Sequence, residues 1–471
     1  MKSIQPNSEL FFAMLREKEY SRLDKQGHVY LDYTAGNIYP SCLVDKHCNY
    51  LQKEVYGNPH SANPASLLSG NFVNTARERV LDFFNATDYH CIFTQNATGA
   101  LQIVGECYPF SLQSHFLLTA DNHNSVNGIR EYCGNKGGEY SYCKMNRDDL
   151  TIDETHLMNQ LRKSGNIKHK LFAFPAQSNA SGVQHSLDWI GKAKELGWDV
   201  LLDAAAFVPT SKLDLSAVRP DFVSISFYKI FGYPTGLGCL LVKKTAFAKL
   251  KKSWFAGGTV ELAGVNYSGH ILLPVHDRFE NGTINYLDIP SIANGLDFID
   301  NIGMANITAR IKALAELFLH CLPALRHQNG RRLIKLYGPT DNNKRGGNFL
   351  MNFYDSMGRQ FPIKFIEHQA NLAKISLRTG CFCNPGIDEL NNGLSAEQLQ
   401  KYFTSGNRVK YDDMTHFFGK MRGAVRISFG IPTTRDDIDT FIHFANKFIN
   451  REVPEVEPAA AGATGNGERT I

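Results

Sequence analysis

The stretch SLRTGCFCNPG, residues 376 to 386, sets two thiols one residue apart, Cys381 and Cys383, between a Thr-Gly and a Pro-Gly. A thiolate is both a nucleophile and a metal ligand. The pair therefore offers four readings: a metal clip, a disulfide, a packing element, or a nucleophile that takes sulfur. Deciding among them depends on a lysine far upstream.

That lysine lies in DFVSISFYKIFGYPTGLGCLLV, residues 221 to 242, where an apolar run ends in Ser226-Phe227-Tyr228-Lys229 before a glycine-rich turn. A poorly hydrated lysine favours its neutral, nucleophilic form, as Schiff-base chemistry with an aldehyde cofactor requires. Asp203 closes a second apolar run, DVLLDAA. Open α/β sheets gather ligands at such carboxyl ends, so both side chains can reach one crevice. A carboxylate on a pyridinium nitrogen and a lysine on an aldehyde carbon are the two contacts that tune pyridoxal phosphate. Each residue alone is equally consistent with a turn former or a surface lysine. Asn96-Ala97-Thr98-Gly99 opens a helical pattern after a strand, a site suited to phosphate. His123, in TADNHNSVNG, is either a ring for stacking on an aromatic cofactor or a satisfied surface histidine.

The elements that position these residues alternate. CIFT, HFLLTA, KLFAFPA, DVLLDAA, FVSIS and GCLLV read as buried strands, with amphipathic helices such as SLDWIGKAKELG between several of them. Ser186 suits the cap of that helix and Gly197 its stop. Near-continuous apolar strands alternating with helices predict an α/β domain around a mainly parallel sheet. The expected division is an N-terminal segment (1–29), a large cofactor-binding domain (30–290), a smaller C-terminal α+β domain with a linking helix (291–452) and a disordered tail (453–471). One long helical stretch is expected from IPSIANGL to LPAL, and Thr434 with Asp437 suits a helix cap.

Hydrophobic residues make up 43% of the 471 and charged residues 20%, ordinary values for a globular protein. The 50 basic and 46 acidic side chains leave a net charge of +4, which gives no reason to expect nucleic acid or a membrane surface. No apolar run is long enough for a membrane helix. The N-terminus lacks the apolar core of an export signal, so a cytoplasmic location with ten reduced cysteines is expected. No CxxC pair supports structural zinc, and no metal is expected.

Taken together, YLDYTAG (30–36), YGNPHSANPAS (56–66), IFTQNATGAL (92–101), SFYKIFGYPTGLG (226–238), FENGT (279–283), SLRTGCFCNPG and VRISFG (425–430) resemble the class V aminotransferase family of fold-type-I pyridoxal phosphate enzymes. Within it they are similar to the cysteine desulfurases, above all to the sulfurase domain of the molybdenum cofactor sulfurases. The resemblance runs from about residue 28 to 450. It implies a large domain with a seven-stranded-type sheet and pyridoxal 5'-phosphate on Lys229, with Asp203 on the ring nitrogen and His123 stacked on the ring. Asn179 is implied at the phenolic oxygen, and Ala97, Thr98, Ser226 and Tyr228 at the phosphate. Gly258 and Thr259 match a loop that reaches a neighbouring subunit's phosphate, which implies a homodimer. Arg426 is implied at the substrate α-carboxylate, where a guanidinium fork fits well, with Ala35 as a further substrate-binding residue and Arg378 at the site's mouth.

In the desulfurases a cysteine ends an Arg-x-Gly-x-x-Cys loop, and Arg378 through Cys383 fits that pattern. The implied reaction moves sulfur from L-cysteine to Cys383 as a persulfide and releases alanine, with a protein or cofactor as later sulfur acceptor. A zinc clip lacks two further ligands, a vicinal disulfide is strained, and the flanking glycines and proline disfavour packing. The nucleophile reading of the pair therefore leads, and the resemblance implies Cys383 ahead of Cys381. The chain departs from the desulfurase pattern at Ala206, usually glutamine, and at Tyr228, usually histidine; the sulfurase branch shares both. It also has Ile387-Asp388 where sulfurases carry Ala-Cys. It closes soon after this region, so the C-terminal molybdenum-cofactor domain of eukaryotic sulfurases is expected to be absent. Full sulfuration of that cofactor by this chain alone is not expected. A C–S lyase or aminotransferase that needs neither cysteine, and a non-catalytic sulfur-binding scaffold, remain as alternatives.

Overall fold

The computed structural model describes residues 9–163, 167–405 and 417–454. Most of the expected tail, from residue 455 onward, lies outside the described residues. A two-residue strand β1 (Val29–Tyr30) precedes seven that share one sheet: β2 (Tyr89–Thr94), β3 (Ser114–Thr119), β4 (Glu139–Cys143), β5 (His169–Pro175), β6 (Asp199–Asp203), β7 (Phe222–Ser226) and β8 (Gly238–Lys243). Their order is β2-β8-β7-β6-β5-β3-β4. β8 pairs antiparallel with both neighbours and every other pairing is parallel. This is the expected mainly parallel α/β sheet.

The reason these strands read as unbroken apolar runs is visible in their burial. Successive side chains point to opposite faces, and both faces are covered. Val200 and Leu202 enter one core and Leu201 the other; Cys239 and Leu241 enter the first, Leu240 and Val242 the second. β4 was not anticipated. At the sheet's edge its residues EYSYC are exposed or half-buried up to Cys143, so it carries no apolar run to detect.

Beyond β8 lie an antiparallel hairpin of β9 (Val260–Ala263) and β10 (His270–Leu272), then β11 (Ile334–Tyr337), β12 (Asn348–Phe353), β13 (Ile375–Ser376), β14 (Arg378–Gly380) and β15 (Ala424–Ser428). An antiparallel sheet runs β11-β12-β15-β14, and β13 pairs with β1. The single long helix expected after residue 290 is two helices, Pro290–Ile302 and Met304–Cys321. Gly303 separates them at φ +86°, a conformation that costs a glycine little. The Thr434 cap forms as expected, with Asp437 completing a capping box. The helix 188–195 differs by one position. Leu187 precedes it, and the Ser186 hydroxyl accepts from the Asp188 amide.

Candidate active site

Lys229 does not end its strand. β7 stops at Ser226, and Lys229 sits in a one-turn helix, Phe227–Phe231, closed by Gly232 at φ +85°. The Asn37 side chain holds this turn by donating to the carbonyls of Lys229 (3.1 Å) and Ile230 (2.9 Å). Burial lowers the Lys229 ammonium from its ordinary value, and the Asp203 carboxylate acts against that shift. Asp203 ends β6, the parallel neighbour of β7. Among the described residues its donors, the Ser224 hydroxyl (2.9 Å) and the Ala205 amide (3.1 Å), both fall on Oδ1, which leaves Oδ2 for a ligand donor.

His123 precedes the turn Asn124–Asn127. Its Nδ1 accepts from the Ser125 amide at 3.1 Å, which assigns the ring proton to Nε2. Burial, then Lys229 and Arg426, lower this imidazole against the opposing pull of Asp203. At the start of the helix Ala97–Cys107, the Ala97 amide donates to the Ser226 hydroxyl (2.9 Å), the Thr98 hydroxyl meets that of Ser125 (2.8 Å), and Asn96 caps the Gly99 amide. Tyr228 lies beside Ser226, its phenol raised by burial. Its ring lies 3.4 Å from where a Cβ at Gly36 would stand, an ordinary packing contact. A buried low-pKa lysine, a carboxylate with one open oxygen, an imidazole and a polar helix start fit a pyridine aldehyde phosphate.

The cysteine loop closes over this group. Phe382 and Cys383 both adopt left-handed backbone, at φ +58° and +52°, a strained choice for non-glycine residues. Side chains and amides hold them there. Asn179 Nδ2 donates to the Phe382 carbonyl (2.7 Å), and the Asn124 amide, next to His123, donates to the Cys383 carbonyl (2.7 Å). Asn384 is fully buried and donates to Asn179 Oδ1 (3.0 Å) and the Asp121 carbonyl (2.6 Å). The two thiols face different surroundings. Cys383 acts electrostatically on Lys229 and Arg378. The Cys381 thiol is raised by burial and then by Asp388, itself paired with Arg422.

Arg426, in β15, is buried, donates to the Asn179 carbonyl (2.8 Å) and Asp32 Oδ1 (2.9 Å), and stacks over Phe382 at 4.8 Å. Arg378 meets the same Asp32. Asp32 begins the turn that carries Ala35, whose amide donates to the Asp32 carbonyl at 3.0 Å. Sequence reasoning missed Asp32 and Asn384. A lone acid among tyrosines and an asparagine before Pro-Gly both read as turn formers, and only YLDYTAG itself signalled the first. Gly258 and Thr259 keep different company. Gly258 lies against Gly282 and His60, and the buried Thr259 bonds within its own turn to Ala256.

The chain matches the aminotransferase class-V family over residues 29–441. It is 37% identical to a human molybdenum cofactor sulfurase over 91% of its own length and 50% of that protein's. The tomato molybdenum cofactor sulfurase gives 36% over 93% and 57%. The chain thus spans about half the length of the curated relatives it matches. An apo cysteine desulfurase from Thermococcus onnurineus superposes with a TM-score of 0.76 at 21% identity, over 93% of this chain and 97% of that one. Motifs and sheet topology agree with these likenesses: the chain belongs to the aminotransferase class-V family and is a pyridoxal-phosphate-dependent enzyme of α/β fold type I.

Proposed function

We propose that this chain is a cysteine desulfurase of the molybdenum cofactor sulfurase type. In this reading it takes sulfur from L-cysteine onto Cys383 as a persulfide and releases L-alanine. The observation that carries the reading is the asymmetry of the cysteine pair. Cys383 lies in the field of Lys229 and Arg378 with its carbonyl pinned beside His123, whereas Cys381 lies toward Asp388.

Pyridoxal phosphate, when bound, supplies an electron sink for charge developing at the substrate's Cα. Lys229, whose ammonium burial lowers from its ordinary value, takes the Cα proton on Nζ. Arg426 seats the α-carboxylate. The Cys383 thiolate attacks the substrate Sγ, so an S–S bond forms as the Cβ–S bond breaks and its electron pair passes to the carbon side. His123 Nε2–H is a proton donor to the species left behind. The strained Phe382-Cys383 backbone holds the attacking sulfur in position, which removes entropy from the step.

The exposed apolar side chains Leu262, Val265, Tyr267 and Ile271 on and around the β9–β10 hairpin, with Trp254 nearby, support a homodimer in which the loop of Gly258 serves the partner's phosphate, while Thr259, buried with its hydroxyl and amide on Ala256, shapes that loop. A sulfur acceptor, protein or cofactor, completes the cycle. The test is product analysis after incubation with L-cysteine. Equimolar alanine and protein persulfide, both lost in Cys383→Ser with the cofactor still bound, support the reading. Pyruvate with ammonia, or full activity in Cys383→Ser, overturns it.

A further inference from the structure

Arg378 on β14 and Arg426 on β15 are direct cross-strand partners, a position in which two like charges destabilise a sheet. Asp32 resolves the conflict from a third segment. Its Oδ2 accepts from Arg378 Nε (2.9 Å) and Nη2 (2.8 Å), and its Oδ1 from Arg426 Nη2 (2.9 Å). Asp32 is 7% exposed and Arg426 2%, while the Arg378 side chain is 50% exposed, so this three-centre ion cluster runs from the interior out to the surface. The two cations do not stand in the same condition. Arg378 turns one whole edge of its guanidinium onto Asp32. Arg426 keeps a buried Nε with no hydrogen-bond partner among the described residues. Two guanidiniums against one carboxylate leave one positive charge, which a single incoming carboxylate neutralises.

A pair of arginines at the mouth of an amino-acid site is also the arrangement that would take a dicarboxylate, one carboxylate on each. Here the second arginine is already occupied from inside the protein. Building on the desulfurase reading above, we propose that Asp32 is a specificity residue. By holding Arg378 it reserves the site for amino acids with one carboxylate, such as L-cysteine and L-alanine, and turns away those with a second anionic group, such as L-aspartate or L-cysteine sulfinate. Removing the charge of Asp32 while keeping its shape releases Arg378 to bind that second group.

The test is calorimetric titration of L-alanine and L-aspartate into the cofactor-loaded protein and its Asp32→Asn variant. The wild type binds L-alanine at least tenfold more tightly than L-aspartate. Asp32→Asn shifts the ratio of the two Kd values at least tenfold toward L-aspartate, and Asp32→Asn with Arg378→Ala reverses the shift. Asp32→Glu, which retains the charge, keeps the wild-type preference. A gain of affinity does not arise from a damaged fold, and Asp32→Ser carries the same readout where the asparagine variant fails to accumulate. An unchanged ratio in folded Asp32→Asn, a gain that survives loss of Arg378, or a wild type that prefers L-aspartate overturns the proposal. Failure of the desulfurase reading looks different: no alanine forms from cysteine while the binding preference stands.

Discussion

Arg426→Ala tests the carboxylate seat most directly. The guanidinium is buried and already spends Nη1 on the Asn179 carbonyl and Nη2 on Asp32, yet Nε and the second hydrogens on both Nη atoms remain. A carboxylate taking two of them makes two charge-assisted bonds, each worth about 1.5–3 kcal/mol net. Their joint loss is on the order of 3–5 kcal/mol, consistent with truncation of one member of a buried charge pair. At about 1.4 kcal/mol per tenfold, KM for L-cysteine rises by roughly a hundredfold to a few thousandfold. Arg378 stays on Asp32 next door, so the lower end applies if it swings in to substitute. The stack over Phe382 is lost as well, which lowers kcat through the placement of Cys383. Alanine formation measured across cysteine concentrations separates the two effects, with the cofactor's absorbance as control for an intact site. Arg426→Lys keeps the charge without the fork and falls between. A KM within threefold of wild type, in Arg426→Ala with normal cofactor binding, refutes the assignment.

Lys229→Met raises the Tm of cofactor-free protein at pH 7. Burial lowers this ammonium from its ordinary 10.5, so between the lowered value and 10.5 the unfolded chain holds a proton that the folded chain does not, and wild-type stability climbs with pH across that window. The gain from Lys229→Met therefore shrinks toward pH 11, and a Tm gain independent of pH contradicts the account. Gly386→Ala places a Cβ 1.9 Å from the Ala120 carbonyl oxygen, far inside contact distance. The helix Pro385–Asn392 and the cysteine loop must shift, so persulfide formation falls at least tenfold while the bound cofactor's absorbance persists; unchanged turnover sinks it. Protonating His123 at Nδ1 breaks the bond it accepts from the Ser125 amide and so misplaces the neutral ring, and burial lowers this imidazole, so the acid limb of kcat/KM against pH lies below the usual imidazole range of about 6.5. A limb at or above that value removes His123 as its source.

What the sequence disclosed and what it hid follow from local chemistry. Asp203 stands out because it closes an apolar run buried on both faces, and Lys229 because it follows three residues after the end of another. The helix start at Asn96 and the cap at Thr434 are legible because capping is settled within four residues. Asp32 and Asn384 are illegible because their partners lie hundreds of residues away, across pairings that no local pattern encodes. β4 went unseen for lack of burial. The break at Gly303 went unseen because the apolar pattern continues on both sides of it.

Asn179 joins the two halves of the chemistry. A carboxamide nitrogen carries two hydrogens. One is already committed to the Phe382 carbonyl, and Asn384 fixes which way the amide faces by donating to its oxygen. In the proposed reading the second hydrogen serves the cofactor's phenolic oxygen, while the backbone carbonyl of the same residue holds Arg426. One residue would then touch cofactor, carboxylate seat and nucleophile loop. Asn179→Asp shows whether the three are coupled: it puts an acceptor where the Phe382 carbonyl needs a donor, with almost no change of shape. The strained loop loses its clamp, at a cost of about 1–3 kcal/mol for the unsatisfied carbonyl, and Cys383 becomes more open to alkylation by iodoacetamide. The cofactor's absorbance shifts in the same variant because the phenolic contact is lost. If alkylation quickens with no spectral change, or the spectrum moves while the loop stays protected, Asn179 serves only one of these partners and the coupling argued here does not exist.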